Sequence, residues 1–422
     1  MNISIQKQVR IALRYFLIAA GLGVLLRLLH VFDIEFTYKF IKHGHSHIAL
    51  LGWIYVCLTT ILYKLFVKQE KQIARRFNLG FVATQITLIG MLITFPIQGY
   101  ALFSIVFSTL FLFVSYWFTW FFFKNIKDKI KTSASFPYIK ASLYYLVLSS
   151  IGPWALGGIM ATLGNTSVWY RLAIYFYLHF QYNGWMLLAL LGIIIFLMER
   201  GGITLSRNRA SEIYNQRESE AVKRNKNLFL LINASIVLTV LLSALWTAPE
   251  NYVYGLSAFG AAMQVLCLGY ALFWIWKNEK AVKRVFTALQ YLLFKIVLIV
   301  LSIKLLLQFV GSFPYFANLS SNIIELTIAY LHWMFLGIIS VSLFLILDML
   351  KLITLRRKQV YYYLIGFILT EGLLIYKGIA IWSQSFTITD YFNEYLLVTS
   401  GLLFTAIAWL VFKPKINLTQ NM

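Results

Sequence analysis

Residues 43–67 read HGHSHIALLGWIYVCLTTILYKLFV, and this stretch decides the fold. From Ile48 to Tyr63 it carries no charged side chain. A helix crossing a bilayer needs about 20 mostly apolar residues. Residues 44–67 therefore predict a membrane-spanning helix. Working outward, comparable stretches lie near 10–31, 77–97, 100–123, 138–162, 169–198, 227–247, 252–276, 286–310, 323–350, 359–382 and 391–412. Together they predict an all-α integral membrane protein of about twelve transmembrane helices, one transmembrane domain over 1–422. The third and fourth stretches are parted only by a tight turn, marked by Pro96 and Gly99.

Composition agrees. The chain is 60% hydrophobic and 12% charged, against about 25% charged in a soluble domain. Such a chain cannot cover an aqueous surface, whereas spanning helices satisfy their backbone internally and need only lipid outside. The net charge of +22 does not point to nucleic acid, because the basic residues sit in short runs between apolar stretches. These runs include Lys64 to Arg76, KNIKDKIK (124–131), the loop 199–226, KNEKAVKR (277–284), KLITLRRK (351–358) and Lys413 to Lys415. Each follows an even-numbered stretch. The positive-inside rule then puts both termini in the cytoplasm. The lipid bilayer is the expected partner, its anionic leaflet facing the basic loops. Short loops and the absence of a small-residue cleavage site after the first apolar run fit a bacterial inner membrane and a retained first helix. Cys57 and Cys267 lie in different apolar stretches, with no metal-type spacing, and read as core residues.

The histidines group the helices. Of the six, three open the same short pattern: HIALLGW from His47, HFQYNGW from His179 and HWMFLGI from His332. Each has Gly five residues on. Only 24 of the 422 residues are Gly, so this coincidence is rare by chance. The three histidines fall on stretches two, six and ten. One histidine every four helices predicts a threefold pseudo-repeat, about 1–130, 131–285 and 286–422. A polar group in hydrocarbon is costly and faces a bundle interior or a cavity. Neutral imidazole suits haem iron, copper and zinc, but also simple hydrogen bonding to a neighbouring carbonyl. In an α-helix the Gly lies about 140° around from its His, where it would let a neighbouring helix approach.

Twelve helices in three groups of four, with histidines on helices 2, 6 and 10, resemble subunit I of the haem-copper oxidase superfamily. The resemblance covers the chain by helix count and only short motifs by residue. It implies that His47, with His45 or His43 as lesser registers, and His332 hold a low-spin haem b, and that His179 occupies the place of a copper ligand. It also shows what is missing. Tyr330 stands where the high-spin haem ligand belongs, and the seventh stretch contains no histidine. Copper binding and oxygen or nitric oxide reduction are therefore not expected, and His179 is left to bond Asn183 or a neighbouring helix. What the resemblance leaves is a haem-b protein for electron transfer or sensing, with a respiratory-chain protein as the implied partner.

Other features leave alternatives open. His43, His45 and His47 alternate, so on a helix they point apart and cannot share one metal. Arg14, Arg27, Lys295, Lys304, Glu325, Glu371 and Lys377 lie within apolar stretches and read as ion pairs, as side chains reaching the interface or as a proton path. Arg27 could face a haem propionate. A transporter or channel with structural histidines is the rival reading, with Gly152-Pro153 as a candidate helix break.

Overall fold

A computed structural model describes residues 3–203, 215–384 and 387–412. The loop segment 204–214 and Lys413 to Lys415, counted above among the basic runs, lie outside the described residues. Twelve described helices are long and apolar enough to cross a membrane. They are α1 Ile5–Leu28, α2 Tyr38–Phe66, α3 Lys71–Gln98, α4 Leu102–Asn125, α5 Phe136–Thr162, α6 Val168–Arg200, α7 Asn225–Thr247, α8 Asn251–Lys277, α9 Ala288–Val310, α10 Ile324–Met349, α11 Arg357–Ser383 and α12 Phe392–Phe412. The chain is thus a multi-pass, all-helical membrane protein. No strand occurs among the described residues beyond an isolated bridge between Val67 and Ile126.

Local chemistry sets several helix ends. Ser4 caps α1, its hydroxyl accepting from the Lys7 amide at 3.3 Å. That cap starts α1 five residues earlier than hydropathy alone suggests. Thr287 and Gln290 form a reciprocal capping box at the start of α9. Pro96 lies inside α3, and the turn before α4 falls at Gly99, whose φ of +61° favours glycine. On the outer faces, Leu79, Ile86, Ile93 and Ile97 of α3 form one exposed stripe, as do Phe259, Leu266 and Phe273 of α8. Their spacing by whole turns puts each set on one side of its helix, a surface suited to lipid.

Burial separates three helices from the rest. In α2, α6 and α10 the apolar windows are 89%, 67% and 67% buried, and no other span exceeds 44%. These are the three helices that carry His47, His179 and His332.

The chain forms two compact units, residues 1–126 with 343–422, and residues 127–342. The first contains α1 to α4, α11, α12 and the last turns of α10. Its helices meet through glycine sockets. A Cβ on Gly52 of α2 would lie 2.8 Å from the Tyr15 ring of α1, and one on Gly366 of α11 would lie 3.0 Å from the Leu403 backbone of α12. Small residues at such crossings permit the close approach on which packing in lipid depends. Phe16 stacks on Trp53 at 4.8 Å, and Gln8 of α1 donates to Asn78 of α3 at 2.9 Å.

The second unit contains α5 to α9 and most of α10. Its crossings repeat the same device. A Cβ on Gly184 of α6 would lie 2.6 Å from the Tyr145 ring of α5, and Gly260 of α8 faces Leu238 of α7. Tyr138 of α5 donates to Asn225 of α7 at 3.1 Å. The α-helical run of α5 is interrupted at Ser150, between segments Phe136–Ser149 and Ile151–Thr162.

Candidate functional site

The three histidines share a backbone event. Each ends an α-helical segment, and each is followed at once by π-helix: Ile48–Tyr55 after His47, Phe180–Met186 after His179, and Trp333–Ser340 after His332. A π segment bonds i to i+5, is rarely sustained, and occurs often at functional sites. It also turns less per residue than an α-helix. The glycine five residues on is therefore brought back toward its histidine's side, not held about 140° away as α geometry would place it.

The first helix of each quartet packs on the π segment of the second. Tyr15 of α1 covers Gly52, and Tyr145 of α5 covers Gly184. In the third quartet the Trp333 indole donates to the Val300 carbonyl of α9 at 2.9 Å. The correspondence runs further along α1 and α5. Gln8 and Tyr138 each lie seven residues before the covering tyrosine, and each bonds an asparagine on the third helix of its quartet.

His47 lies in the first unit. Its Nδ1 is 2.9 Å from the His43 carbonyl, which can only accept, so Nδ1 carries the proton. Its Nε2 lies 3.4 Å from the Tyr100 hydroxyl, which donates to it. The ring stacks on Phe95 at 4.3 Å. His43 packs edge-on to Tyr100 at 4.6 Å, while His45 turns to α1 and donates from Nδ1 to the Ala19 carbonyl at 2.8 Å. His45 thus diverges from His43 and His47, which lie one turn apart on the same face, both against Tyr100. His30, between α1 and α2, packs 5.0 Å from Tyr38. Burial, then the charges of Arg27 and Lys377, hold its pKa below the usual histidine range.

His179 lies in the second unit and is bonded at both ring nitrogens. Nε2 donates to the Ile236 carbonyl of α7 at 2.9 Å, so Nδ1 is the acceptor and takes the Asn183 amide at 3.2 Å. Neither ring nitrogen remains over for a metal in this arrangement. Asn183 Oδ1 in turn accepts from Lys304 Nζ of α9 at 2.7 Å, and Lys304 also donates to Gln308 Oε1 at 2.6 Å. Gln308 donates to Gln264 of α8 at 2.9 Å, and Gln264 donates to Thr239 of α7 at 3.1 Å. Thr239 ends on the carbonyls of Ser235 and Ile236. These bonds close a ring.

Lys304 fixes the ring's polarity, because it can only donate. One arm runs from Lys304 through Asn183 and His179 to the Ile236 carbonyl. The other runs through Gln308, Gln264 and Thr239 to the same turn of α7, just before α7 tightens to 3₁₀ geometry at Val240. Lys304 is fully buried and bonds amides. The expectation of an ion pair or of a side chain reaching the interface does not hold for it. Lys295, by contrast, is exposed, 5.2 Å over the Tyr291 ring.

Beside the ring lies a cavity of about 300 Å³ within the second unit. Asn183 and Gln264 line one part of it, and the rest is chiefly apolar, with Leu191, Ala271, Leu298 and Cys267 among its walls. Both cysteines are buried and free. Of the ring, the sequence singles out His179, Asn183 and Lys304. Gln264 and Gln308, lone polar residues in apolar spans, were the remaining signal.

His332 is half-buried in the second unit. Tyr330, at the position of a missing haem ligand in the resemblance, meets the Tyr182 ring edge-on at 6.1 Å. Among the described residues no three His, Cys, Asp or Glu side chains cluster as a metal site. Two-ligand haem binding requires no such cluster. No protein-family model matches this chain, and no curated protein matches it.

Proposed function

We propose that this chain is a haem-b-binding protein of a bacterial inner membrane, with both termini cytoplasmic. Its plan is that of haem-copper oxidase subunit I without the oxygen-reducing centre. One observation carries the reading: the most buried helix of each quartet changes from α to π geometry directly after a histidine. A local distortion repeated at the same place in three quartets supports common descent of those quartets.

His47 and His332 would hold the iron. For His47 the donor set fits. Metal-binding histidines commonly donate their other ring N–H to a carbonyl, which sets the tautomer and aims the free nitrogen. His47 does so through His43, and its Nε2 would ligate by giving up the 3.4 Å contact from the Tyr100 hydroxyl. A haem held by two imidazoles has no open iron position and supplies one-electron redox chemistry. Electron transfer to a respiratory partner, or redox sensing, follows from that coordination. His179, bonded at both nitrogens, keeps a structural role in the ring.

The test is a reduced-minus-oxidised absorbance spectrum of the protein purified from a haem-replete host. A sharp haem b band supports the proposal, and its absence from folded protein ends it. A transporter is the second reading. The break in α5 at Ser150 and the buried polar ring favour it, since substrate sites in transporters lie near interrupted helices.

A further inference from the structure

The polar ring of the second unit leaves side-chain amide N–H groups unspent beside the cavity. Its three side-chain amides each bring two N–H groups. Asn183, Gln264 and Gln308 each spend one of these within the ring. The three amide oxygens are all engaged, by Lys304 twice and by Gln308 once. Asn183 and Gln264 also line the cavity, whose other walls are chiefly aliphatic and aromatic. Lys304 Nζ, 2.7 Å from Asn183 Oδ1, withdraws charge through that amide and strengthens its N–H as a donor. The volume of about 300 Å³ is at the lower end of small-molecule sites, which span roughly 300–1,000 Å³.

We propose that this cavity binds an amphipathic small molecule: an acceptor oxygen, carbonyl or carboxylate, seated on the amides of Asn183 and Gln264, and an apolar body along Leu191, Leu298 and Ala271. An oxygen acceptor answers the unspent N–H groups of Asn183 and Gln264, and a hydrocarbon body answers the walls. The site lies wholly within the second unit and does not rest on haem binding.

Cys267 lines the cavity, and Cys57, in the first unit, serves as an internal control. The full-length protein in lipid nanodiscs is alkylated with a hydrophobic maleimide, and labelling of each cysteine is followed by peptide mass spectrometry. Three probes are compared: decanoate, a decyl-substituted benzoquinone, and decylbenzene, which lacks an acceptor. At least one oxygen-bearing probe should slow Cys267 labelling tenfold or more without changing Cys57. Protection by decanoate alone assigns a carboxylate head, and by the quinone alone a carbonyl head. Gln264→Leu should weaken that protection at least tenfold, and Ala271→Trp, which puts an indole into the cavity from α8, should abolish it. The proposal is overturned if neither oxygen-bearing probe protects Cys267 in the unsubstituted protein. It is equally overturned if decylbenzene protects as well as they do, or if Cys57 is protected to the same extent.

Discussion

The surroundings of His47 and His179 are built on one backbone plan and used for different chemistry. Both residues stand at an α-to-π change, both precede a glycine covered by a tyrosine from the first helix of the quartet, and both precede a buried tryptophan. The side-chain bonds then part. His47 donates within its own helix and keeps Nε2 against one long contact with Tyr100. His179 spends both nitrogens on other groups and joins a ring that spans four helices. Backbone geometry is shared because it is set by helix packing. Ring-nitrogen chemistry differs because it depends on single side chains, such as Asn183 and Lys304, that the His47 neighbourhood lacks.

The largest expected effects would break the shared part. Gly52→Val and Gly184→Val push a side chain into Tyr15 and Tyr145, and each should destabilise the protein by about 3 kcal/mol. Thermal unfolding in detergent measures this. If the packing is equivalent, adding Tyr15→Ala to Gly52→Val, and Tyr145→Ala to Gly184→Val, should recover part of the loss in both cases. Recovery in one pair only would deny the equivalence.

Lys304→Met addresses the ring alone. It leaves the acceptors on Asn183 and Gln308 without their donor, at about 1–3 kcal/mol for each, partly offset because no amine is then buried. A net loss of about 2 kcal/mol is expected in the same assay. An unchanged melting temperature would show that the ring is not a stabilising element.

His179→Phe should cost about 1–2 kcal/mol by orphaning Asn183, whereas His47→Phe should cost less, because stacking on Phe95 survives. Equal losses would show that the two histidines contribute alike to stability. The smallest effect belongs to Tyr100→Phe. That contact is 3.4 Å long and partly exposed, so stability should change by no more than about 0.5 kcal/mol.

Hydropathy made the twelve spans legible to within a few residues at most ends, since length and apolarity are summed over many positions. The start of α1 was missed because Gln6, Lys7 and Gln8 look polar, although Gln8 is buried on Asn78. The π segments were not legible. In a run such as IALLGWIY, all apolar, a change of winding leaves no pattern of polar and apolar positions. The ring was legible only in pieces. Asn183, Gln264 and Lys304 are far apart in sequence, and nothing local to any of them says that they meet. Lys304 was visible as an anomaly, but its amide partners required the fold.

We propose that the histidines on the second helix of each quartet have separated into haem ligands and a structural member. The most direct measurement is the reduced-minus-oxidised spectrum of four proteins: the unsubstituted chain and the His47→Ala, His332→Ala and His179→Ala variants. The account predicts a haem b band in the unsubstituted chain and in His179→Ala, and none in the other two. A band that survives His47→Ala or His332→Ala, or that vanishes only with His179→Ala, would contradict it.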